Sequence, residues 1–96
     1  MAIVFEWDME KAESNLKKHG ISFEESKSVF YDNNGYMFAD EIHSILEDRF
    51  ILIGYSQNNR LLFVSFTERN DNIRIISARK ATKQERLNYE KNNKNN

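Results

Sequence analysis

Cysteine and proline are absent from this 96-residue chain, and glycine occurs only three times. Without cysteine, the chain can form no disulfide bridge, zinc–thiolate site or thiol nucleophile. Because proline is absent, Gly20, Gly35 and Gly54 are the strongest turn signals. Apolar runs of membrane-spanning length are also lacking, and acidic residues follow the start too closely for a secretory signal. We therefore expect a cytoplasmic protein.

Positive charge is distributed unevenly along the chain. The net charge of −1 argues, taken alone, against binding to nucleic acid. Residues 1–59, however, carry 5 Lys/Arg against 11 Asp/Glu, a balance of −6, whereas residues 60–96 carry 9 against 4, a balance of +5. The C-terminal part could therefore attract RNA, although an ordinary solvated surface gives the same imbalance.

Two helices are predicted in the first third of the sequence. Asp8 can accept hydrogen bonds from the free amides at the start of a helix over residues 9–19, and Gly20 can end that helix in a left-handed conformation. Ser22 begins the spacing of a capping box, so a second helix should start there and fray near Asp32.

The remaining sequence predicts a β-meander and a last helix. Thr82 begins a second capping box for a helix through about Tyr89, after which the polar residues 91–96 should be a disordered tail. We interpret residues 40–48 as a loop. Strands are expected over residues 3–7, 36–39, 50–55, 61–66 and 73–78. The expected architecture is one α+β domain over residues 1–90, in which two N-terminal helices pack on an antiparallel sheet.

Two cationic clusters are predicted at the ends of the last strand. Arg69 and Arg74 should lie near each other across the turn at residues 70–72. Arg79 lies at the far end of the strand, close to the start of the last helix, whose free amides favour a phosphate. The cluster around it comprises Arg79, Lys80, Lys83 and Arg86.

Metal-free RNA cleavage needs a base for the 2′-hydroxyl, cations for the charge that develops at phosphorus, and an acid for the departing oxygen. Histidine changes protonation readily near cellular pH, so His19 is a candidate for proton transfer, or it simply caps the first helix. Tyr89 can share a helix face with Arg86 and stack on a base or donate a proton. Burial of Tyr89 against the sheet is the alternative.

The other conspicuous side chains have structural interpretations. His43 with Glu47 and Asp48 is only a weak signal for a metal, and a solvated loop explains it better, so no metal or other cofactor is predicted. Most aromatic residues fall on faces needed for packing and are expected in the core: Phe5, Trp7, Phe23, Phe30, Phe50, Phe63 and Phe66.

Several separate motifs, in the same order along the chain, resemble the BrnT family of toxins. They are Phe5-Glu6-Trp7-Asp8, Lys18-His19-Gly20-Ile21-Ser22-Phe23-Glu24-Glu25, Glu47-Asp48-Arg49-Phe50, Arg74-Ile75-Ile76-Ser77-Ala78-Arg79 and Glu85-Arg86 with Tyr89. The resemblance implies a RelE-like fold and the toxin half of a type II toxin–antitoxin pair. Such toxins cut RNA, arrest growth and are neutralised by a DNA-binding antitoxin, usually of the ribbon-helix-helix type. One departure is Asn33, where a proline is expected, and both residues suit a turn.

The resemblance also implies site residues and partners. Catalytic roles fall on His19, Arg69, Arg79, Arg86 and Tyr89, with RNA-binding roles for Lys18, Lys80 and Glu85. Arg74 and Lys83 are further RNA-binding candidates, because they belong to the two cationic clusters. The expected partners are RNA and a ribbon-helix-helix antitoxin in a hetero-oligomer, with DNA contacted only through the antitoxin and no membrane involved. Two other functions remain open: a non-catalytic partner within an antitoxin–DNA repression complex, and a general RNA-binding module.

Overall fold

The computed structural model describes residues 3–94 and confirms the predicted α+β class. Its elements follow one another in the predicted order, with one added turn of 3₁₀ helix at Glu41–His43 inside the predicted loop. They are β1 (Phe5–Glu6), α1 (Met9–His19), α2 (Phe23–Val29), β2 (Tyr36–Ala39), β3 (Arg49–Tyr55), β4 (Leu61–Arg69), β5 (Asn72–Lys80) and α3 (Lys83–Lys94).

The five strands form one sheet in the order β1-β5-β4-β3-β2. Strands β2 to β5 are antiparallel to their neighbours, but β1 pairs with β5 in parallel, so the prediction of an antiparallel sheet is wrong for β1. The reason lies in α1, whose Asn15 amide donates to the Ala78 carbonyl near the C-terminal end of β5. Because α1 directly follows β1, the chain reaches this contact from the opposite end of β5. Strand β1 therefore runs in the same direction as β5.

One face of the sheet is covered by α1 and α2. Phe23 and Phe66 are fully buried there, and Phe5 and Phe30 pack edge-to-face in the same core. This core comprises Ile21, Phe23, Val29, Leu52, Leu62, Val64, Phe66, Ile75 and Ala78. Burial of this much apolar surface is the main contribution to the stability of the fold.

The opposite face is covered in part by α3. Tyr89 of this helix is 7% exposed and packs on Ile51, Ile53 and Leu61. Because β3 and β4 are buried on both faces, their sequences are almost continuously apolar rather than alternating. Phe63, one of the predicted core aromatics, is half-buried on this second face.

Local signals place the helix ends. Asp8 accepts a hydrogen bond from the Lys11 amide, and Gly20 has a φ of 70°, which a residue with a side chain rarely adopts. At the start of α3, the Glu85 amide donates to the Thr82 hydroxyl and the Thr82 amide donates to the Glu85 carboxylate. These reciprocal bonds form the capping box that the sequence predicts.

The last helix is longer than predicted, because it continues past Tyr89 to Lys94. Asn93 donates a 2.9 Å side-chain hydrogen bond to the Tyr89 carbonyl, and Asn92 lies beside Tyr36 of β2. Residues 91–94 of the predicted disordered tail are therefore helical, and residues 95 and 96 lie outside the described part. No helix within residues 3–94 is long and apolar enough to cross a membrane.

Candidate functional site

The last helix divides the second face of the sheet into two basic surfaces. It starts just after Lys80 at the end of β5, crosses β4 and β3 at Tyr89, and ends beside Tyr36 of β2. On one side of α3 lies a concave site at the end of the sheet, which we call the end groove. On the other side lies the part of this face that carries Arg49, Arg74 and Arg79, which we call the arginine row.

The end groove has a volume of about 460 Å³ and brings three cations together, Arg60, Lys80 and Arg86. Arg86 donates a 2.9 Å hydrogen bond from Nη1 to the Tyr55 hydroxyl oxygen. A concave surface with several cations suits a phosphodiester. The lining residues are Tyr55, Asn59, Arg60, Leu61, Lys80, Ala81 and Arg86.

A buried carboxylate holds Arg60 at this groove. Glu25 is 4% exposed and accepts hydrogen bonds from Arg60 Nε at 2.9 Å and from the Ser56 hydroxyl at 2.7 Å. The hydrogen bond from Arg60 outweighs burial and lowers the pKa of Glu25. Arg60 also donates to the Gly20 carbonyl at 3.2 Å, so its guanidinium is fixed between the groove and the end of α1.

The structure places the two predicted residues of α1 differently. His19 is half-buried and directly precedes Gly20, the residue whose carbonyl binds Arg60, so it lies at the end of the helix that adjoins the groove. Lys18 is exposed and lies with Glu10 and Glu13 on another surface of α1. The structure therefore does not bring Lys18 into the groove.

Arg79 is held by an acid and an aromatic ring. Its guanidinium lies 3.9 Å from the centroid of Phe63, and its Nη1 and Nη2 donate to the two carboxylate oxygens of Glu85 at 2.8 and 2.9 Å. These bonds are the main cause of the lowered pKa of Glu85. Glu85, a predicted RNA-binding residue, is thus the counterion of Arg79 and the cap of α3 at the same time.

The pairing register of the strands shows where the other cations of the sheet lie. Arg49, Thr67 and Arg74 are paired across β3, β4 and β5, and they share a face with Arg79, which pairs with Phe63. Arg74 also forms an ion pair with Glu6 at 3.1 Å. Arg49, which the sequence prediction omitted, has a buried Nε without a hydrogen-bond partner in the described part of the chain.

Arg69 lies at the far end of β4. It pairs with Glu47 at 3.2 Å and lies six positions along the strand from Phe63, about 20 Å at the usual rise per residue. The structure therefore does not bring Arg69 together with Arg79 and Arg86. As expected, Arg69 does lie near Arg74 across the turn, because Arg69 pairs with Asn72, two positions before Arg74 on β5.

Tyr89 belongs to the core rather than to either basic surface. Its hydroxyl donates a 2.7 Å hydrogen bond to Asp32 Oδ2, which also accepts from the Tyr55 amide at 2.8 Å. Burial and the adjacent Asp32 carboxylate raise the pKa of Tyr89 well above its ordinary value, because both disfavour the tyrosinate. Lys83, the remaining predicted RNA-binding residue, is exposed on the first turn of α3 and does not line the groove.

Side chains that could bind a metal do not converge. Residues 3–94 contain no group of three or more His, Asp or Glu side chains with suitable spacing. His43 Nδ1 lies 2.9 Å from Asp40, whereas Glu47 binds Arg69.

Sequence reasoning missed Tyr55 and Arg60 in the groove. The two residues lie on either side of the turn between β3 and β4 and meet Lys80 and Arg86 only in the folded chain. One feature of the sequence could have indicated Arg60: it is the first basic residue of the positively charged part, residues 60–96.

Comparisons with known proteins bear on the family and the fold of this chain. A family model described as a ribonuclease toxin, BrnT, of type II toxin–antitoxin systems matches residues 7–85. A search of curated proteins gave no match. Among solved structures, the 1.1 Å crystal structure of the Brucella abortus ribonuclease toxin BrnT is similar, with a TM-score of 0.65 and 22% identity over 85% of this chain and 100% of that chain. At this identity the match shows a common fold.

Proposed function

The chain belongs to the BrnT family of type II toxin–antitoxin ribonuclease toxins, and on that premise we propose that it cuts RNA without a metal ion, in the end groove. The observation that carries the proposal is the convergence of Arg60, Lys80 and Arg86 in one concave site. Lys80 and Arg86 form no ion pair with a carboxylate within residues 3–94, and Arg60 is held in place by Glu25. Together they can bind the phosphate and stabilise the extra negative charge of the transition state. We further propose that the fold is RelE-like and that the protein acts in the cytoplasm.

Proton transfer is assigned to Tyr55 in the groove and to His19 at the end of α1 beside it. Since the Tyr55 oxygen accepts the hydrogen bond from Arg86, its own O–H remains free to donate to the departing 5′-oxygen. His19, at the adjoining end of α1, is the base that takes the proton of the attacking 2′-hydroxyl. Attack of the 2′-oxygen on phosphorus leaves a 2′,3′-cyclic phosphate on one product and a 5′-hydroxyl on the other.

The remaining predicted residues support this site. Arg79 and Glu85 join the end of β5 to the start of α3, and thereby place Arg86 opposite Tyr55. Tyr89 anchors the same helix to Asp32. Arg74 extends the positive surface along the arginine row, where further nucleotides of the RNA can bind.

The partner in this proposal is an antitoxin of the ribbon-helix-helix type, which binds DNA and keeps the toxin inactive. A second candidate function is a non-catalytic role within an antitoxin–DNA complex. It is favoured by one observation: several of the candidate side chains are each bound to a carboxylate. These are Arg60, Arg69, Arg74, Arg79 and Tyr89, bound to Glu25, Glu47, Glu6, Glu85 and Asp32 respectively.

Inducible expression tests the proposal in cells. Expression of the chain alone should arrest growth and degrade RNA, and co-expression of the neighbouring reading frame should restore growth. Full growth with well-folded, soluble protein at high level would favour the non-catalytic role.

A further inference from the structure

Five large apolar side chains are exposed on β2 and on the segment that follows it. Met37 is 53% exposed and Phe38 38%, while Ile42, Ile45 and Leu46 reach 82%, 88% and 97%. We call these five residues the edge patch. Met37 and Phe38 lie on opposite faces of β2, at the edge of the sheet, and exposed apolar side chains grouped along one segment mark a binding surface.

The patch includes an unprotected strand edge. In the described part of the chain, β2 is the last strand of the sheet and pairs only with β3. Edge strands are usually protected by charged residues, proline or a bulge, but Tyr36–Ala39 has none of these. The free edge can therefore pair with an added strand.

Beside the edge lies a concave site of about 260 Å³ formed by the loop before β3. Ile42, Ile45 and Leu46 supply its apolar walls, and the polar part of its lining comprises His43, Glu47 and Arg49. The space suits an aliphatic side chain that approaches along the edge.

Acidic residues surround the patch. Asp40 binds His43 and Glu47 binds Arg69, but Glu41 and Asp48 are exposed, and their carboxylates make no hydrogen bond to any other residue within 3–94. Residues 40–49 carry four carboxylates against two basic side chains, His43 and Arg49, so the balance at this surface is acidic. A ligand for it therefore combines apolar side chains with net positive charge. RNA is disfavoured because its phosphates would be repelled, and a second copy of the chain is disfavoured because a symmetric contact would bring like charges together.

We propose that the edge patch is the docking site of the antitoxin, through an extended segment of alternating aliphatic and Lys/Arg side chains that pairs with β2. The inference rests on the proposed function, which supplies the antitoxin. It places the main antitoxin contact on the β2 edge, whereas the end groove lies where α3 starts beside β5. Antitoxin affinity and RNA cleavage then depend on different residues.

Binding measurements on the full chain test this placement. The probe is the purified product of the reading frame next to the gene, titrated by calorimetry into the wild type and into two double variants, Ile45→Ser/Leu46→Ser and Glu41→Lys/Asp48→Lys. We expect the first pair to raise Kd by about 30-fold or more, and the second by about 10-fold with a weaker salt dependence. RNA cleavage and Tm should stay at wild-type values, because all four side chains are exposed and outside the end groove.

A matched control uses two exposed apolar residues of α1, as Met9→Ser/Leu16→Ser, which should leave Kd unchanged. The inference is overturned if the edge variants bind like the wild type, if the wild type does not bind the probe, or if only the control loses affinity. It is also overturned if sedimentation shows a wild-type dimer that Ile45→Ser/Leu46→Ser dissociates, since the occupant is then a second copy. Failure of the proposed function is separate, because it appears as absence of RNA cleavage by the free protein.

Discussion

The hydroxyl of Tyr89 donates a 2.7 Å hydrogen bond to Asp32, which ties the last helix to the turn after α2. Because Tyr89 is almost fully buried, we expect Tyr89→Phe to lower the free energy of unfolding by about 1–2 kcal/mol. Denaturant unfolding measures the loss. RNA cleavage at a temperature where the variant is folded should remain within about threefold of wild type, whereas a catalytic Tyr89 would lose about 100-fold or more.

Stability should fall in acid through Glu25. Arg60 lowers the pKa of Glu25 from its ordinary value of 4.5, so the folded state is stabilised above about pH 4.5, and this contribution is lost as the pH falls through the lowered folded-state pKa. The free energy of unfolding, measured with urea at several pH values between 6 and 3, should therefore fall with pH less steeply in Glu25→Gln than in the wild type. An identical slope in both proteins would mean that the pair does not persist in solution.

Arg79 should act together with Glu85. We expect Arg79→Ala and Glu85→Ala each to slow RNA cleavage about tenfold and the double variant to be no slower than either, because both remove the same link between β5 and α3. Cleavage rates of all three, with Tm as the control for folding, measure the coupling. If Arg79→Ala loses cleavage and Glu85→Ala keeps or gains it, Arg79 contacts the phosphate directly.

Salt dependence should separate Lys80 from Lys83. Lys80 lines the end groove and Lys83 does not, although both are exposed and lie near the start of α3. For single-stranded RNA, Lys80→Gln should reduce the slope of log affinity against log salt by about 0.7, whereas Lys83→Gln should leave it nearly unchanged. Fluorescence anisotropy at several salt concentrations gives both slopes, and equal effects would place the RNA outside the groove.

Local signals made much of the fold predictable. Asp8, Gly20, Ser22 and Thr82 act on the backbone within a few residues, so the sequence alone places the helix starts and the end of α1. The parallel pairing of β1 was not predictable, because a strand of two residues has no pattern that sets its direction.

The site was predictable only in part, for a similar reason. Lys80 and Arg86 could be chosen because they cluster in sequence, but Tyr55 and Arg60 reach the groove through the hairpin between β3 and β4. The bond between Arg79 and Glu85 depends on the angle at which α3 leaves the sheet, which sequence spacing does not give. Tertiary packing therefore decides which of the predicted cations remain open to RNA.

Cleavage of a 5′-labelled single-stranded RNA by the purified chain in EDTA tests the central claim most directly. The wild type should produce 2′,3′-cyclic phosphate ends, and Arg86→Gln and Tyr55→Phe should each slow cleavage about 100-fold or more at unchanged Tm. Arg69→Ala, which changes an exposed arginine outside the groove, should cut like the wild type. Loss of activity in EDTA, or loss in Arg69→Ala with full activity in Arg86→Gln, would contradict metal-free cleavage in the end groove.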